Sequence, residues 1–214
     1  GARRLMAPPA KTAAPGSGDS WRSYHKRVRP LPGDIASRVA EEIAGHDRRV
    51  LLLGVTRDYA VLGADLTAVD WCEEQIARVW IGDRPDRRAV CADWREMDVG
   101  RERFTAAIGD GSLSTLAWPD DYRRTLERVA WSLVPRGLLV VRCFVAPDDP
   151  ETAEKVAADA FAGRVSSFFS ARWRIGMALA GSGNVQVTTI HDAFERLFPD
   201  RNALAEATGW DRET

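Results

Sequence analysis

Val50-Leu51-Leu52-Leu53-Gly54-Val55-Thr56-Arg57-Asp58-Tyr59 and, ending sixteen residues after its glycine, Leu66-Thr67-Ala68-Val69-Asp70 decide the fold of this chain. An unbroken apolar run ending in glycine reads as a strand buried on both faces, leaving through a sharp turn. A second short run ending in an acid reads as its parallel neighbour, the start of a nucleotide-binding α/β unit. An acid there is an acceptor-only group suited to two ribose hydroxyls. A pyrophosphate dinucleotide wants two further glycines, so that backbone N–H groups can approach the phosphates. Thr56 and Tyr59 stand in those places, and Asp58 sets a negative charge where phosphates belong. The spacing therefore points to a nucleoside without phosphates, with S-adenosylmethionine leading.

Composition bounds the rest. The chain has 214 residues, 45% hydrophobic and 29% charged, ordinary values for a globular protein. A formal charge of −1 gives no reason to expect nucleic acid, and no apolar run approaches the roughly 20 residues of a membrane helix. Cys72, Cys91 and Cys143 form no C-x-x-C pair and read as buried, reduced thiols, which fits a cytoplasmic location. His25, His46 and His191 lack metal-ligand spacing.

Outward from the first strand, residues 1–19 read as a disordered tail and 20–214 as one domain, with a core at 34–146 and a helical, aromatic region at 147–214. Asp34 is placed to cap a helix carrying Ile35, Val39 and Ile43, stopped by Gly45. Strands are expected at Val50–Leu53, Leu66–Val69, Ala89–Ala92, Phe104–Ile108 and Leu138–Val145. Helices are expected at about 58–62, 72–80 and from Pro119, the last with Tyr122, Leu126, Val129 and Leu133 on one face. Strands joined by helical crossovers predict a Rossmann-like, doubly wound, mostly parallel sheet. Beyond Pro147, helices are predicted at 150–162 and 202–208, a short strand at Val185–Ile190, and a capping box at Thr189–Asp192 for a helix through Leu197 stopped by Pro199.

From Leu51 to Val145 the chain resembles the class I S-adenosylmethionine-dependent methyltransferases, in a bacterial subgroup. The resemblance rests on the order of Leu53-Gly54-Val55-Thr56, Val69-Asp70, Ala92-Asp93-Trp94, Gly109-Asp110-Gly111-Ser112 and Pro135-Arg136-Gly137. Two departures stand out. Leu52 replaces the acid usual two residues before the first glycine, and further glycines are absent after it. Family members also usually end in an antiparallel strand pair, for which only Val185–Ile190 is a candidate, so the sheet edge is expected to be completed differently, as by another chain.

The resemblance implies roles that compete with plainer ones. Asp70 would bind the ribose hydroxyls, or cap a helix. Trp71 would flank the adenine, or simply pack. Asp93 would accept from the adenine amine, with Trp94 beside it or offering its backbone N–H; otherwise Asp93 is a solvated strand-end acid. Gly54 turns the chain, and Thr56 and Tyr59 lie where the methionine moiety would rest, though Tyr59 also suits a core. Gly109, Asp110, Gly111 and Ser112 leave the fourth strand where ligands bind such sheets. Their backbone would hold the methionine ammonium with Asp110 near the sulfonium; a tight turn is the alternative. Tyr24 and His25 would lid the pocket, and Phe168–Met177 would wall an acceptor site or fill a core. Arg142, inside a strand, needs a partner.

The implied activity is transfer of the sulfonium methyl to a small-molecule acceptor by in-line displacement, with S-adenosylhomocysteine as product and no identified catalytic base. Nucleic acid and membrane are not expected partners, and the C-terminal region is a candidate for pairing with a second copy or another chain. The rivals are a catalytically inactive cofactor- or partner-binding protein on the same fold, and a nicotinamide-dependent oxidoreductase.

Overall fold

The computed structural model describes residues 33–45, 47–143, 145, 148–181, 183 and 185–210. The expected tail, Tyr24, His25 and His46 lie outside them, as does the side chain of Asp34. Helix α1 (Gly33–Ile43) leads into β1 (Arg49–Leu53), β2 (Asp65–Asp70), α2 (Glu73–Val79), β3 (Arg87–Cys91) and β4 (Phe104–Asp110). A 3-10 turn (Ser112–Thr115), α3 (Asp120–Ser132) and β5 (Leu133–Arg142) follow, and then α4 (Ala153–Phe161), α5 (Phe168–Ala180), α6 (Val187–Leu197) and α7 (Arg201–Thr208).

The five described strands form one parallel sheet in the order β3-β2-β1-β4-β5. This is the expected doubly wound arrangement, and the order reverses between β1 and β4. Strand alternation sends side chains to opposite faces. Val50, Leu52, Leu66, Ala68, Ala106 and Ile108 pack on one face with Val39 and Ile43 of α1 and Val79 of α2. Leu51, Leu53, Val69, Phe104 and Ala107 pack on the other with Trp94, Met97 and Val129 of α3. Burial on both faces is why the central strands carry no polar alternation. The outer strands β3 and β5 are only partly buried.

Several expectations are corrected. The chain at 57–61 makes turns rather than a helix, with Tyr59 N–H and Ala60 N–H both donating to Thr56 O (3.1 and 3.2 Å). In α3 the buried positions are Thr125, Val129 and Ser132, while Leu126 is exposed. Leu133 already pairs with Phe104, and regular pairing resumes at Leu138 opposite Ala106. The Pro135-Arg136-Gly137 turn is thus a bulge within β5, with Arg136 at φ +66°. Val185–Ile190 is no strand: α6 begins at Val187 after a Gln186 cap without a side-chain hydrogen bond, so the capping box at Thr189 is absent too. Ile190, Ala193, Phe194 and Leu197 recur at helical spacing, and burying that stripe outweighs the β-propensity of Val187, Thr188 and Thr189.

The helices α4–α7 bury a core of their own, built from Val156, Ala160, Ile175, Phe194, Phe198 and Leu204. Phe168 packs 4.8 Å from Phe194, edge to face, so the aromatic segment contributes to this core. The cysteines also depart from expectation: Cys91, on edge strand β3, and Cys143, just past β5, are exposed.

Candidate functional site

Parallel strands all deliver their carboxyl ends to one edge of the sheet, and the reversal between β1 and β4 opens a crevice there. Gly54 leaves β1 at φ +104°, a conformation natural to glycine, and its N–H donates to Val69 O at 2.8 Å. Asp70 ends β2 almost fully buried, with Oδ1 accepting from Cys72 N–H at 2.9 Å. Oδ2 accepts no hydrogen bond among the described residues, and a Cβ built on Gly54 would stand 4.0 Å from it. Gly54 thus borders, at ordinary van der Waals distance, the side of the carboxylate that still has lone pairs to offer. Burial raises the Asp70 pKa and the Cys72 N–H partly offsets this. The side chain fits a nucleoside diol, and its bond to Cys72 N–H stops one residue short of α2, which has no side-chain cap. Beside it Trp71 is 53% exposed, a free aromatic face at the rim.

The other expected residues divide. Thr56 is half-buried in the turn after β1, while Tyr59 is fully buried among Val50, Leu52 and Leu66, which removes it from contact with a ligand in the crevice. Trp94 is likewise a core residue, its indole N–H donating to Val69 O at 2.6 Å. That carbonyl thus accepts from both Gly54 and Trp94, joining the ends of β1 and β2 to the loop after β3. Only the backbone of Trp94 remains for a ligand.

Asp93 is held by Arg95. Arg95 Nε lies 2.9 and 3.0 Å from the two carboxylate oxygens, Nη2 also donates to Oδ2, and the Arg95 backbone N–H donates to Oδ1 at 2.9 Å. Arg95 Nη1 reaches Asp121 Oδ1 at 3.1 Å, so one guanidinium joins the end of β3 to the first turn of α3. Hydrogen bonding to Arg95 holds the Asp93 carboxyl below its usual range, against burial. For Asp121, burial pulls upward, and the donors Arg95 and Ala117 N–H carry it below its usual value. The sequence shows Arg95 two places from Asp93 but gives no sign of Asp121, 26 residues away.

At the end of β4, Gly109-Asp110-Gly111-Ser112 is a built junction. Ser112 Oγ donates to Leu53 O at 2.7 Å. A Cβ on Gly109 would stand 2.6 Å from that hydroxyl, so glycine is required for Ser112 to reach across. Gly111 adopts φ +65° and donates to Arg142 O at 3.0 Å. Asp110 and Arg142 share a register position, and Nε lies 2.5 Å from Oδ1, an ion-pair contact that supplies the partner Arg142 needs. The Asp110 side chain is wholly buried and its charge is matched, which removes the free anion expected beside a sulfonium.

Past the junction, the exposed Trp118 meets Tyr122 edge to face at 5.3 Å. Burial raises the Tyr122 pKa, with a further contribution from the Cys143 thiol beyond β5. These side chains form an aromatic corner beyond the carboxyl ends of β4 and β5 that the motifs did not announce. Among the described residues no helix is long and apolar enough to cross a membrane.

No protein-family model and no curated protein matches the sequence. Solved structures do. The sugar N-methyltransferase KedS8 from Streptoalloteichus sp. superposes with a TM-score of 0.52 at 19% identity, over 71% of this chain and 64% of its own. CalS10, an amino pentose methyltransferase from Micromonospora echinaspora solved with S-adenosylmethionine bound, gives 0.52 at 18% identity over 63% of this chain. This chain spans 60% of the length of CalS10. A structure from Anaeromyxobacter dehalogenans gives 0.50 at 16% identity, over 85% of this chain and 87% of its own. The parallel sheet with its β1/β4 crevice is the fold of the class I S-adenosylmethionine-dependent methyltransferases.

Proposed function

We propose that the chain is a methyltransferase that uses S-adenosylmethionine and acts on a small-molecule acceptor. The observation that carries this reading is Asp70: a buried carboxylate with one oxygen occupied by Cys72 N–H and the other open beside Gly54. Such a group would hold the two ribose hydroxyls, and Trp71 would cover the adenine from the rim. The turn at Gly54–Thr56 and the backbone of Gly109–Gly111 would hold the amino-acid end, with Ser112 fixing their separation through Leu53. When bound, the cofactor supplies an electrophilic methyl group, and the protein supplies position and dryness. The acceptor would approach from the β4–β5 side, where Trp118 and Tyr122 offer apolar, planar surface.

The test is calorimetric titration of the chain with S-adenosylmethionine, S-adenosylhomocysteine and NAD, repeated on Asp70→Ala. Micromolar binding of both sulfur nucleosides, lost in the variant and absent for NAD, is the expected result. Binding of NAD alone would overturn it in favour of an oxidoreductase. Binding of the sulfur nucleosides without turnover across a screen of amine and hydroxyl acceptors would make the chain a silent cofactor-binding protein instead.

A further inference from the structure

The three acidic groups around the crevice are not equivalent. Asp70 keeps an open oxygen, whereas Asp110 is closed by Arg142 and Asp93 by Arg95. A carboxylate offers about four lone-pair positions. Asp93 meets three N–H donors of one residue: the backbone N–H of Arg95 takes Oδ1, Nη2 takes Oδ2, and the single Nε–H is shared between the two oxygens. The same guanidinium is anchored at its far end by Asp121, itself fixed by Ala117 N–H at 3.3 Å. A side chain held at both ends cannot swing away without breaking two ion pairs at once. The indole of Trp94, the next residue, is turned into the core by its bond to Val69 O. At the end of β3, Trp94 is thus withdrawn from a purine edge and Asp93 already has a partner.

Resting on the reading of the site as a nucleoside pocket, we infer that it selects its cofactor by the ribose and not by the exocyclic amine of the base. Arg95 is the residue that sets this specificity, because it spends Asp93 on the link between β3 and α3. A carboxylate free to accept from the amine would discriminate against its absence by roughly tenfold to a hundredfold. In Asp93 that acceptance must compete with the three N–H donors of Arg95, which removes most of the discrimination.

The experiment compares two probes by calorimetry: S-adenosylhomocysteine and its purine-riboside analogue, whose base lacks the amine but keeps N1 as an acceptor. The wild-type chain should bind the two within about threefold. In Arg95→Met, Asp93 is released, and the adenosyl compound should gain a preference of roughly tenfold over the purine one. A wild-type preference above about twentyfold would overturn the inference while leaving the nucleoside reading intact. Failure of S-adenosylhomocysteine itself to bind would overturn that reading, and this inference with it. The wild-type comparison stands even if the variant does not fold.

Discussion

The hydroxyl of Ser112 donates to the carbonyl oxygen of Leu53 across the reversal point of the sheet, at 2.7 Å, and both residues are buried. This bond joins the end of β1 to the loop leaving β4, the two segments that flank the crevice. Ser112→Ala should cost about 1–3 kcal/mol, because a buried carbonyl loses a donor that water cannot replace. Gly109→Ala should destabilise as well, since its new Cβ would stand 2.6 Å from the same hydroxyl. The two changes share one cause, so the double variant should be less destabilised than the sum of the singles. Denaturant midpoints of the four proteins measure this, and strict additivity would show that the hydroxyl is not the point of conflict.

Asp110 and Arg142 form the second tie at this edge, between β4 and β5. Removing one partner of a buried pair strands the other charge, so Asp110→Asn should cost about 3 kcal/mol, at the low end of such losses because Arg142 is partly exposed. Asp110→Leu combined with Arg142→Met should recover most of that stability. Urea unfolding of the single and double variants decides between the two. If the double variant is no better than the single one, the residues contribute separately.

The sheet was legible because its evidence is local. An apolar run closed by Gly54, another closed by Asp70, and a third closed by Gly109 are each read within six or seven residues. The site was less legible because its side chains are assigned by distant partners. Nothing near Trp94 reveals that its indole will meet Val69 O, and nothing near Asp110 names Arg142 except the register of β4 against β5. The error at Val185–Ile190 has a different origin. Its β-branched residues favour a strand locally, and only the stripe from Ile190 through Phe194 to Leu197, buried against α4 and α5, makes it helix.

The helical region has its own acid-sensitive joint. Asp159 on α4 receives Lys155 at 2.8 Å, Arg164 at 2.7 Å and Arg174 at 2.9 Å, and Arg174 also binds Glu151. Hydrogen bonds from Lys155, then Arg164 and Arg174, push the Asp159 carboxyl far below its usual value. A depressed folded pKa contributes stability above the unfolded value, near 3.9, and loses it as pH falls toward the folded one. Asp159→Asn should therefore lower the unfolding midpoint at pH 7 more than at pH 3. Thermal unfolding followed by circular dichroism at the two pH values tests this, and an equal loss at both would mean that Asp159 acts through packing alone.

Asp70 carries the opposite sign. Burial raises its folded pKa, so its ionised form is held at a cost near neutral pH, and protonation on acidification relieves that cost. A ribose diol donating to the carboxylate favours the ionised form and draws that pKa down on binding. Affinity for S-adenosylhomocysteine should therefore be constant near neutral pH and fall on acidification, starting above the pH at which an exposed aspartate would titrate. Asp70→Asn should bind more weakly at neutral pH, by roughly tenfold to a hundredfold for hydrogen bonds to a charged group, and should lose the acid-dependent decline. Binding isotherms between pH 5 and 8 for both proteins supply the comparison. If the decline persists unchanged in Asp70→Asn, the titrating group lies elsewhere and Asp70 does not hold the ribose.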